Sequence, residues 1–132
     1  MTTATVINQT TNLMRDFRKY DVWQDGINLS TEIYNLTGTF PKHETYALMN
    51  QLQRAVVSIP SNIAEGASRE SEVDFARFLE IALGSTYEVE TQIYIAHNLS
   101  YINKEQSDYF IQKLQSIEKR LTSLINLLKK RT

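Results

Sequence analysis

A regular row of apolar residues near the end of the chain constrains the fold most strongly. Between positions 110 and 128, large apolar side chains recur at intervals of 4, 3, 4, 3 and 4 residues. An α-helix completes a turn in about 3.6 residues, so this spacing places them on one face of a single long helix. The members of this apolar seam are Phe110, Leu114, Ile117, Leu121, Leu124 and Leu128. The rest of the chain must supply apolar faces that cover the seam.

Three earlier segments repeat the same period, with short connections between them. The four predicted helices cover about residues 21–37, 42–64, 71–99 and 104–130. Short connections favour antiparallel neighbours, and helices with one apolar face pack most simply as a bundle. We therefore predict an all-α fold, an antiparallel up-down-up-down four-helix bundle over residues 17–132. The polar, Thr-rich residues 1–16 are interpreted as a flexible leader.

Capping residues mark where these helices are expected to begin and end. Asp21 is a predicted N-cap, because its carboxylate can accept from the free amides of the first turn. Gly38 suits the left-handed residue that ends many helices. Ser71 and Asn103 are the predicted caps of the third and fourth helices, and Gln106 stands at the reciprocal position of a capping box.

Two residues in the second segment oppose a continuous helix. Pro60 removes a backbone donor and crowds the carbonyl four residues earlier, so a kink or a break is expected there. Gly66 follows the pattern and is predicted to end the helix.

Charge is distributed unevenly although the net charge is only −1. Residues 65–103 carry two basic and seven acidic side chains, and residues 104–132 carry seven basic and three acidic ones. We favour the interpretation that the acidic third helix and the basic fourth helix complement each other inside the fold. The alternative is a nucleic-acid-binding surface, because clustered cations displace the counterions of phosphates. Its candidates are Lys113, Lys119, Arg120, Lys129, Lys130 and Arg131.

The third helix has more apolar residues than one buried face requires. Besides its principal stripe it carries six others, namely Phe78, Ile81, Leu83, Tyr87, Tyr94 and Ile95. A helix of a four-helix monomer keeps one side in water, so this excess predicts a contact between subunits.

Residue patterns typical of catalysis or of metal binding are missing from the sequence. Cysteine is absent, which excludes disulfides and thiolate chemistry. Neither His43 nor His97 has a glutamate three residues before it, as a di-iron bundle requires. Glu90 and His97 share a face, but a structural role is favoured, with Arg54 as one possible ionic partner of Glu90. We predict no enzyme, no cofactor, no metal and no small-molecule substrate.

Targeting signals and membrane spans are also missing. The sequence contains neither an apolar run of about 18 residues nor a signal-peptide pattern. The cytoplasm is therefore the expected location, and no membrane partner is predicted.

Several sequence runs together are distinctive. They are Asp21–Gln24, Thr39–Pro41, Gln51–Gly66, Arg77–Ser85 and Glu88–Gln92, and the third reads QLQRAVVSIPSNIAEG. Over about residues 17–128 the chain resembles the four-helix-bundle proteins encoded in intervening sequences of bacterial 23S ribosomal RNA genes. The resemblance implies ring-shaped homopentamers without enzymatic activity. A related branch, the accessory variability proteins of diversity-generating retroelements, works beside a reverse transcriptase and its RNA.

The SIPSNIAEG run has a physical interpretation that needs no ligand. A bend at Pro60 frees carbonyl groups that nearby serine and asparagine side chains can satisfy. Small residues beside it permit a neighbour to approach closely, which suits a tight helix junction or a subunit contact. The candidates for this contact are Arg54, Ser58, Pro60, Ser61, Asn62, Glu65, Gly66, Phe78, Ile81, Gly84, Ser85 and Glu90.

The sequence leads to two functional hypotheses. The first is a non-catalytic, homo-oligomeric helical scaffold that contacts RNA or a nucleic-acid-processing protein, with the basic fourth helix as the contact surface. The second is a structural or protein-interaction module without nucleic-acid contact, which the net charge of −1 favours.

Overall fold

The computed structural model describes residues 15–131, and they form an all-α fold. The four α-helices are α1 (Asp21–Thr37), α2 (Leu48–Ala67), α3 (Glu72–Asn98) and α4 (Lys104–Lys130). Two short 3₁₀ turns, Phe17–Lys19 and Lys42–Glu44, precede α1 and α2, and the described part of the chain contains no strand. Of the predicted leader, residues 1–14 lie outside the described range. None of the described helices is long and apolar enough to cross a membrane.

Helices α3 and α4 begin at the predicted caps. The Ser71 hydroxyl accepts a hydrogen bond from the amide of Asp74 at 3.0 Å. Asn103 and Gln106 form a complete capping box, in which each side chain accepts from the other's backbone amide at 2.8 and 2.9 Å. These bonds satisfy amides that would otherwise lack a partner in the first turn.

The predicted N-cap of α1 is wrong, whereas Gly38 is the C-cap residue as predicted but in another conformation. Asp21 is the first residue inside the helix, and Tyr20 occupies the N-cap position without a side-chain bond. Gly38 has φ of −61°, an ordinary right-handed conformation. The helix ends by tightening instead, because the amides of Thr39 and Phe40 each donate to the carbonyl three residues earlier at 3.0 Å.

Helix α2 begins later and ends later than predicted. The expected start at residue 42 is replaced by the 3₁₀ turn, and the α-helix starts only at Leu48. The Glu44 side chain accepts from the amide of Leu48 at 3.3 Å and from the hydroxyl of Tyr101 at 2.6 Å, which fixes the helix entrance. The helix then continues through Pro60 and Gly66 to Ala67, so neither residue ends it.

Helix α1 accommodates Pro60. Proline has no amide to bond the carbonyl of Val56, and the Ser30 hydroxyl of α1 lies 3.3 Å from that oxygen and 2.8 Å from the carbonyl of Gly26. A Cβ atom on Gly26 would lie 3.2 Å from two atoms of the Pro60 ring, so glycine lets the helices approach here. The expectation that residues of the SIPSNIAEG run would satisfy this carbonyl is therefore wrong for Val56.

The apolar seam of α4 packs into the centre of the bundle, with one change from the prediction. Leu121 is fully buried, Leu124 is only half-buried, and Ile125 takes the next core position. The largest fully buried side chains come from all four helices: Leu29, Ile33, Leu52, Val56, Ile59, Ile63, Phe75, Leu79, Ile93, Leu114, Ile117 and Leu121. The buried core is therefore shared by the whole bundle.

Candidate interaction surfaces

Three of the six basic candidates on α4 are paired with carboxylates. Arg120 lies 2.6 Å from Asp25 of α1. Lys129 lies 3.6 Å from Glu80 of α3, and Arg131 contacts Glu72 at 3.3 Å. These contacts support the interpretation that the basic fourth helix is complemented within the fold, chiefly by α3. They leave less positive charge available to a ligand.

The other three basic candidates take no part in those ion pairs. The Lys113 ammonium stands 5.2 Å from the centre of the Tyr109 ring, a cation–π distance. Lys119 and Lys130 are exposed. Within residues 15–131 neither of these two lysines forms an ion pair. Together with Lys113, which is also exposed and in no ion pair of the described chain, they are the basic candidates that remain available to a phosphate.

An open cleft of about 390 Å³ separates α1 from α4. Charged side chains that line the cleft already have partners across it, because Arg120 pairs with Asp25 and the Tyr109 hydroxyl donates to Glu32. Among the described residues no cluster of three or more His, Cys, Asp or Glu side chains could hold a metal ion. The cleft therefore presents polar groups that satisfy one another.

The SIPSNIAEG run joins α2 to α3. The hydroxyls of Ser58 and Ser85 are hydrogen-bonded at 2.8 Å. The Asn62 amide donates to the carbonyl of Ser58 at 2.8 Å and to its hydroxyl at 2.9 Å. A Cβ atom on Gly66 would lie only 2.6 Å from the Cβ of Phe78, so this glycine is required for the close crossing of the helices. Here the run serves packing inside one chain.

The remaining charged motif residues do not pair as the sequence suggested. Glu65 binds Arg69 at 3.1 Å, and the Arg69 guanidinium lies 4.7 Å from the centre of the Phe78 ring. Arg54 and Ser61 are exposed on α2. No ion pair joins Arg54 to Glu90 among the described residues. That predicted bridge is wrong, and Glu90 instead accepts a hydrogen bond from Tyr94.

The actual neighbours of Glu90 are a tyrosine and a second glutamate. The Tyr94 hydroxyl donates to Glu90 at 3.3 Å. Burial, together with a hydrogen bond and repulsion from the Glu90 carboxyl, raises the pKa of Glu118 to about 8. Sequence reasoning missed Glu118. The sequence offers one indication of its role: Glu118 is an acidic residue next to the apolar seam of α4, a helix expected to pack against the acidic α3.

The water-facing side of α3 carries the excess apolar surface predicted from the sequence. We call this surface the α3 outer face, and its large apolar members are Val73, Ile81, Tyr87, Tyr94 and Ile95, each 44–51% exposed. Gly84 lies among them, and no neighbouring atom of the described chain comes within 4 Å of where its Cβ would be. Phe78 and Leu83, from the same predicted excess, are half-buried.

Residues 15–131 thus define an all-α class of fold, with four α-helices and an apolar outer face on α3. The chain belongs to the 23S rRNA-intervening sequence protein family, whose model matches residues 18–123. It is also similar to a crystal structure of a protein with unknown function from the S23 ribosomal protein family of Bacteroides thetaiotaomicron. The two share 28% identity with a TM-score of 0.74, over 79% of this chain and 97% of the other. No curated protein matches the sequence.

Proposed function

We propose that this protein is a non-catalytic scaffold of identical subunits that contacts RNA or a nucleic-acid-processing protein. In this proposal the up-down-up-down bundle is the subunit, and subunits assemble as a closed ring. The observation that carries the proposal is the α3 outer face, which presents large apolar side chains to water. Contiguous exposed apolar surface of this kind marks interaction sites in soluble proteins.

Gly84 strengthens the case for assembly. Glycine inside an exposed helix is less favourable than alanine by about 1 kcal/mol. Nothing in the described chain would touch a side chain at this position, so packing within the subunit gives no reason for glycine. A neighbouring helix that crosses α3 at Gly84, between Ile81 and Tyr87, would give that reason.

The antiparallel order within the subunit is supported by contacts between opposite helix ends. Gln51, near the start of α2, accepts a hydrogen bond from Gln92, near the end of α3. Toward the other end, Glu80 of α3 meets Lys129 in the last turn of α4.

The proposed RNA contact depends on several subunits that bind the RNA together. One subunit offers Lys119 and Lys130 as exposed cations on α4, which is a weak phosphate-binding surface. Several copies on one ring multiply such a surface, because the second and later contacts become intramolecular. The family name, which refers to 23S ribosomal RNA genes, makes ribosomal RNA the natural first ligand to test.

Assembly is tested by light scattering after size-exclusion chromatography of the wild type and Gly84→Arg. Arginine at an open helical position is compatible with the folded subunit, so the variant is expected to be a folded monomer. Ser123→Arg, on the exposed side of α4, is the matched control and should remain assembled. A monomeric wild type, or an assembled Gly84→Arg, would overturn the proposed surface.

RNA contact is tested by titrating a ribosomal RNA fragment at about 50 and 200 mM salt. The variant Lys119→Glu/Lys130→Glu should lose binding at low salt, whereas the charge-matched Lys19→Glu/Lys42→Glu should retain it. Wild-type binding should weaken steeply with salt, as counterion release requires.

The alternative is a protein-interaction module that does not touch nucleic acid. Its specific support is the pairing of Arg120, Lys129 and Arg131 with acidic residues, together with the net charge of −1. An assembled wild type that ignores RNA at both salt concentrations would establish this alternative over the RNA hypothesis.

A further inference from the structure

The side of the bundle formed by α1 and α2 carries a second group of exposed apolar residues. We call it the α1/α2 patch, and its large apolar members are Ile27, Tyr34 and Val57, each 40–48% exposed. Ile27 and Tyr34 are seven residues apart, so they lie on one side of α1, and Ser30 lies between them. The Ser30 hydroxyl is 3.3 Å from the carbonyl oxygen of Val56 on α2, and Val57 is the next residue of that helix. The three exposed side chains therefore lie along one contact between the helices.

The α1/α2 patch is bordered by a cation that has no partner in the subunit. Arg54 precedes Val57 by three residues on α2, and both residues are exposed. Within residues 15–131 Arg54 forms neither an ion pair nor a hydrogen bond through its side chain. The subunit therefore presents a positive charge beside an apolar surface and uses it for no contact of its own.

The α3 outer face carries the opposite charge. Glu88 is exposed and follows Gly84 by four residues, so the two lie on the same side of α3. The Glu88 carboxylate accepts a hydrogen bond from Gln92 at 3.3 Å, and it forms no ion pair among the described residues. Two other exposed charges of this helix, Arg77 and Glu80, are each held in an ion pair. Glu88 is thus an anion on an apolar surface that lacks a cation.

We propose that the α3 outer face of one subunit packs against the α1/α2 patch of a second copy of the chain, with Glu88 paired to Arg54 across the contact. This inference rests on the assembly proposed above and names the surface that the α3 outer face meets.

The closed ring itself requires such a pair of surfaces. Head-to-tail contacts use two different surfaces of each subunit and can close into a ring, whereas a symmetric contact uses one surface twice and ends at a dimer. A symmetric contact between two α3 outer faces would add a second Glu88 and no cation. The α1/α2 patch adds Arg54 instead, so apolar surface and opposite charge are both matched. Gly84 leaves room on α3 for a helix of the neighbouring subunit to approach.

Charge reversal followed by light scattering over a dilution series tests the pairing. Arg54→Glu and Glu88→Arg should each raise the dissociation constant of the assembly by about tenfold or more, because like charges then face each other. The double variant Arg54→Glu/Glu88→Arg reverses the pair within one chain and should recover most of the lost affinity. Lys42→Glu, at an exposed position without an ion pair in the described chain, is the control and should assemble like the wild type. Circular dichroism melting of each variant verifies that the subunit stays folded.

The outcomes separate this inference from the assembly on which it rests. If Gly84→Arg is monomeric while Arg54→Glu assembles like the wild type, the α1/α2 patch is the wrong surface and the proposed assembly stands. A double variant that assembles no better than the single ones would also overturn the pairing. A monomeric wild type would overturn the assembly and this inference together.

Cross-linking distinguishes the head-to-tail contact from a symmetric one. The chain contains no cysteine, so introduced thiols are the only ones present. With a short bifunctional maleimide, Val57→Cys/Ile81→Cys in one chain should give a ladder of covalently joined chains, because each contact brings one thiol from each surface together. Val57→Cys and Ile81→Cys alone should give single chains. Covalent dimers from Ile81→Cys alone, or single chains from the assembled double variant, would overturn the proposed contact.

Discussion

Helices α3 and α4 have the same length of 27 residues and yet present opposite outer surfaces. Both bury an apolar stripe in the shared core. On its water-facing side α3 exposes five large apolar side chains, whereas the exposed positions of α4 are mainly polar, and Tyr109 and Leu127 are its large apolar exceptions. The buried stripe of a helix thus explains how it packs in the bundle. The composition of its outer face indicates what it meets outside the bundle.

The largest expected effect concerns the buried stripes of α3 and α4, which should contribute equally to the free energy of unfolding. Leu79 of α3 and Leu121 of α4 are both completely buried. Leu79→Ala and Leu121→Ala should each lower the free energy of unfolding by about 3 kcal/mol, because both lose apolar burial and leave a cavity. Urea denaturation measures this loss, with half-exposed Leu127→Ala as a control that should change stability by less than about 1 kcal/mol. A cost below about 1 kcal/mol at either buried leucine would contradict the equivalence.

A somewhat smaller effect is expected where α3 meets α2. Gly66→Ala would place a Cβ atom 2.6 Å from the Cβ of Phe78, and neither atom belongs to the flexible end of a side chain. The helices must separate slightly, which should destabilise the subunit by about 2 kcal/mol. Calorimetric melting of the variant checks this expectation. An unchanged or raised melting temperature would mean that α2 and α3 are not so closely packed.

Removing the N-terminal caps of α3 and α4 should cost less stability than the changes above, and the cost should differ between the two helices. Ser71 provides one capping hydrogen bond to α3, whereas Asn103 takes part in a reciprocal pair. Ser71→Ala should cost about 0.5 kcal/mol and Asn103→Ala about 1 kcal/mol. Equilibrium unfolding of the two single variants gives the difference directly. A larger loss from Ser71→Ala would reverse this ranking.

The smallest expected effect concerns Gly84 on the α3 outer face. Gly84→Ala should stabilise the dissociated subunit by somewhat less than 1 kcal/mol, because alanine favours the helix and meets no neighbouring atom. The same methyl group should weaken assembly if a neighbouring helix crosses at this position. Unfolding and light scattering over a range of protein concentrations separate the two effects. Destabilisation of the monomer would show that the glycine has a role inside the subunit.

Most features of the fold that depend on local sequence could be predicted, although the N-cap of α1 and the start of α2 could not. The range of α1 coincides with residues 21–37 and that of α4 with 104–130. The Asn103 cap and the apolar seam are set by residues within a few positions of each other. The exposed excess on α3 is likewise a property of one helix. The sequence runs that resemble the family lie mainly in the first three helical segments, and the family model confirms that the chain belongs to this family.

Features that depend on distances between helices could not be predicted. Helix α2 continues through Pro60, and the residues that lie against it there, Ser30 and Gly26, belong to another helix. Glu90 accepts a hydrogen bond from Tyr94 of its own helix and forms no ion pair with Arg54 among the described residues, because that pairing depends on how α2 and α3 face each other. The basic residues of α4 were visible in the sequence, but their neutralisation by Asp25, Glu72 and Glu80 was visible only as an overall balance of charge.

The contact of Ser30 and Gly26 with Pro60 has a consequence for how sequences of this fold can diverge. Replacing Ser30 alone removes the hydroxyl that lies 3.3 Å from the carbonyl of Val56, and enlarging Gly26 alone brings a Cβ atom to 3.2 Å from the Pro60 ring. Replacing Pro60 by an ordinary residue restores the backbone amide that can bond the carbonyl of Val56, but its Cβ atom keeps the close contact with position 26. Related chains that lose the proline are therefore expected to vary at position 30, whereas position 26 should stay glycine as long as the two helices cross this closely.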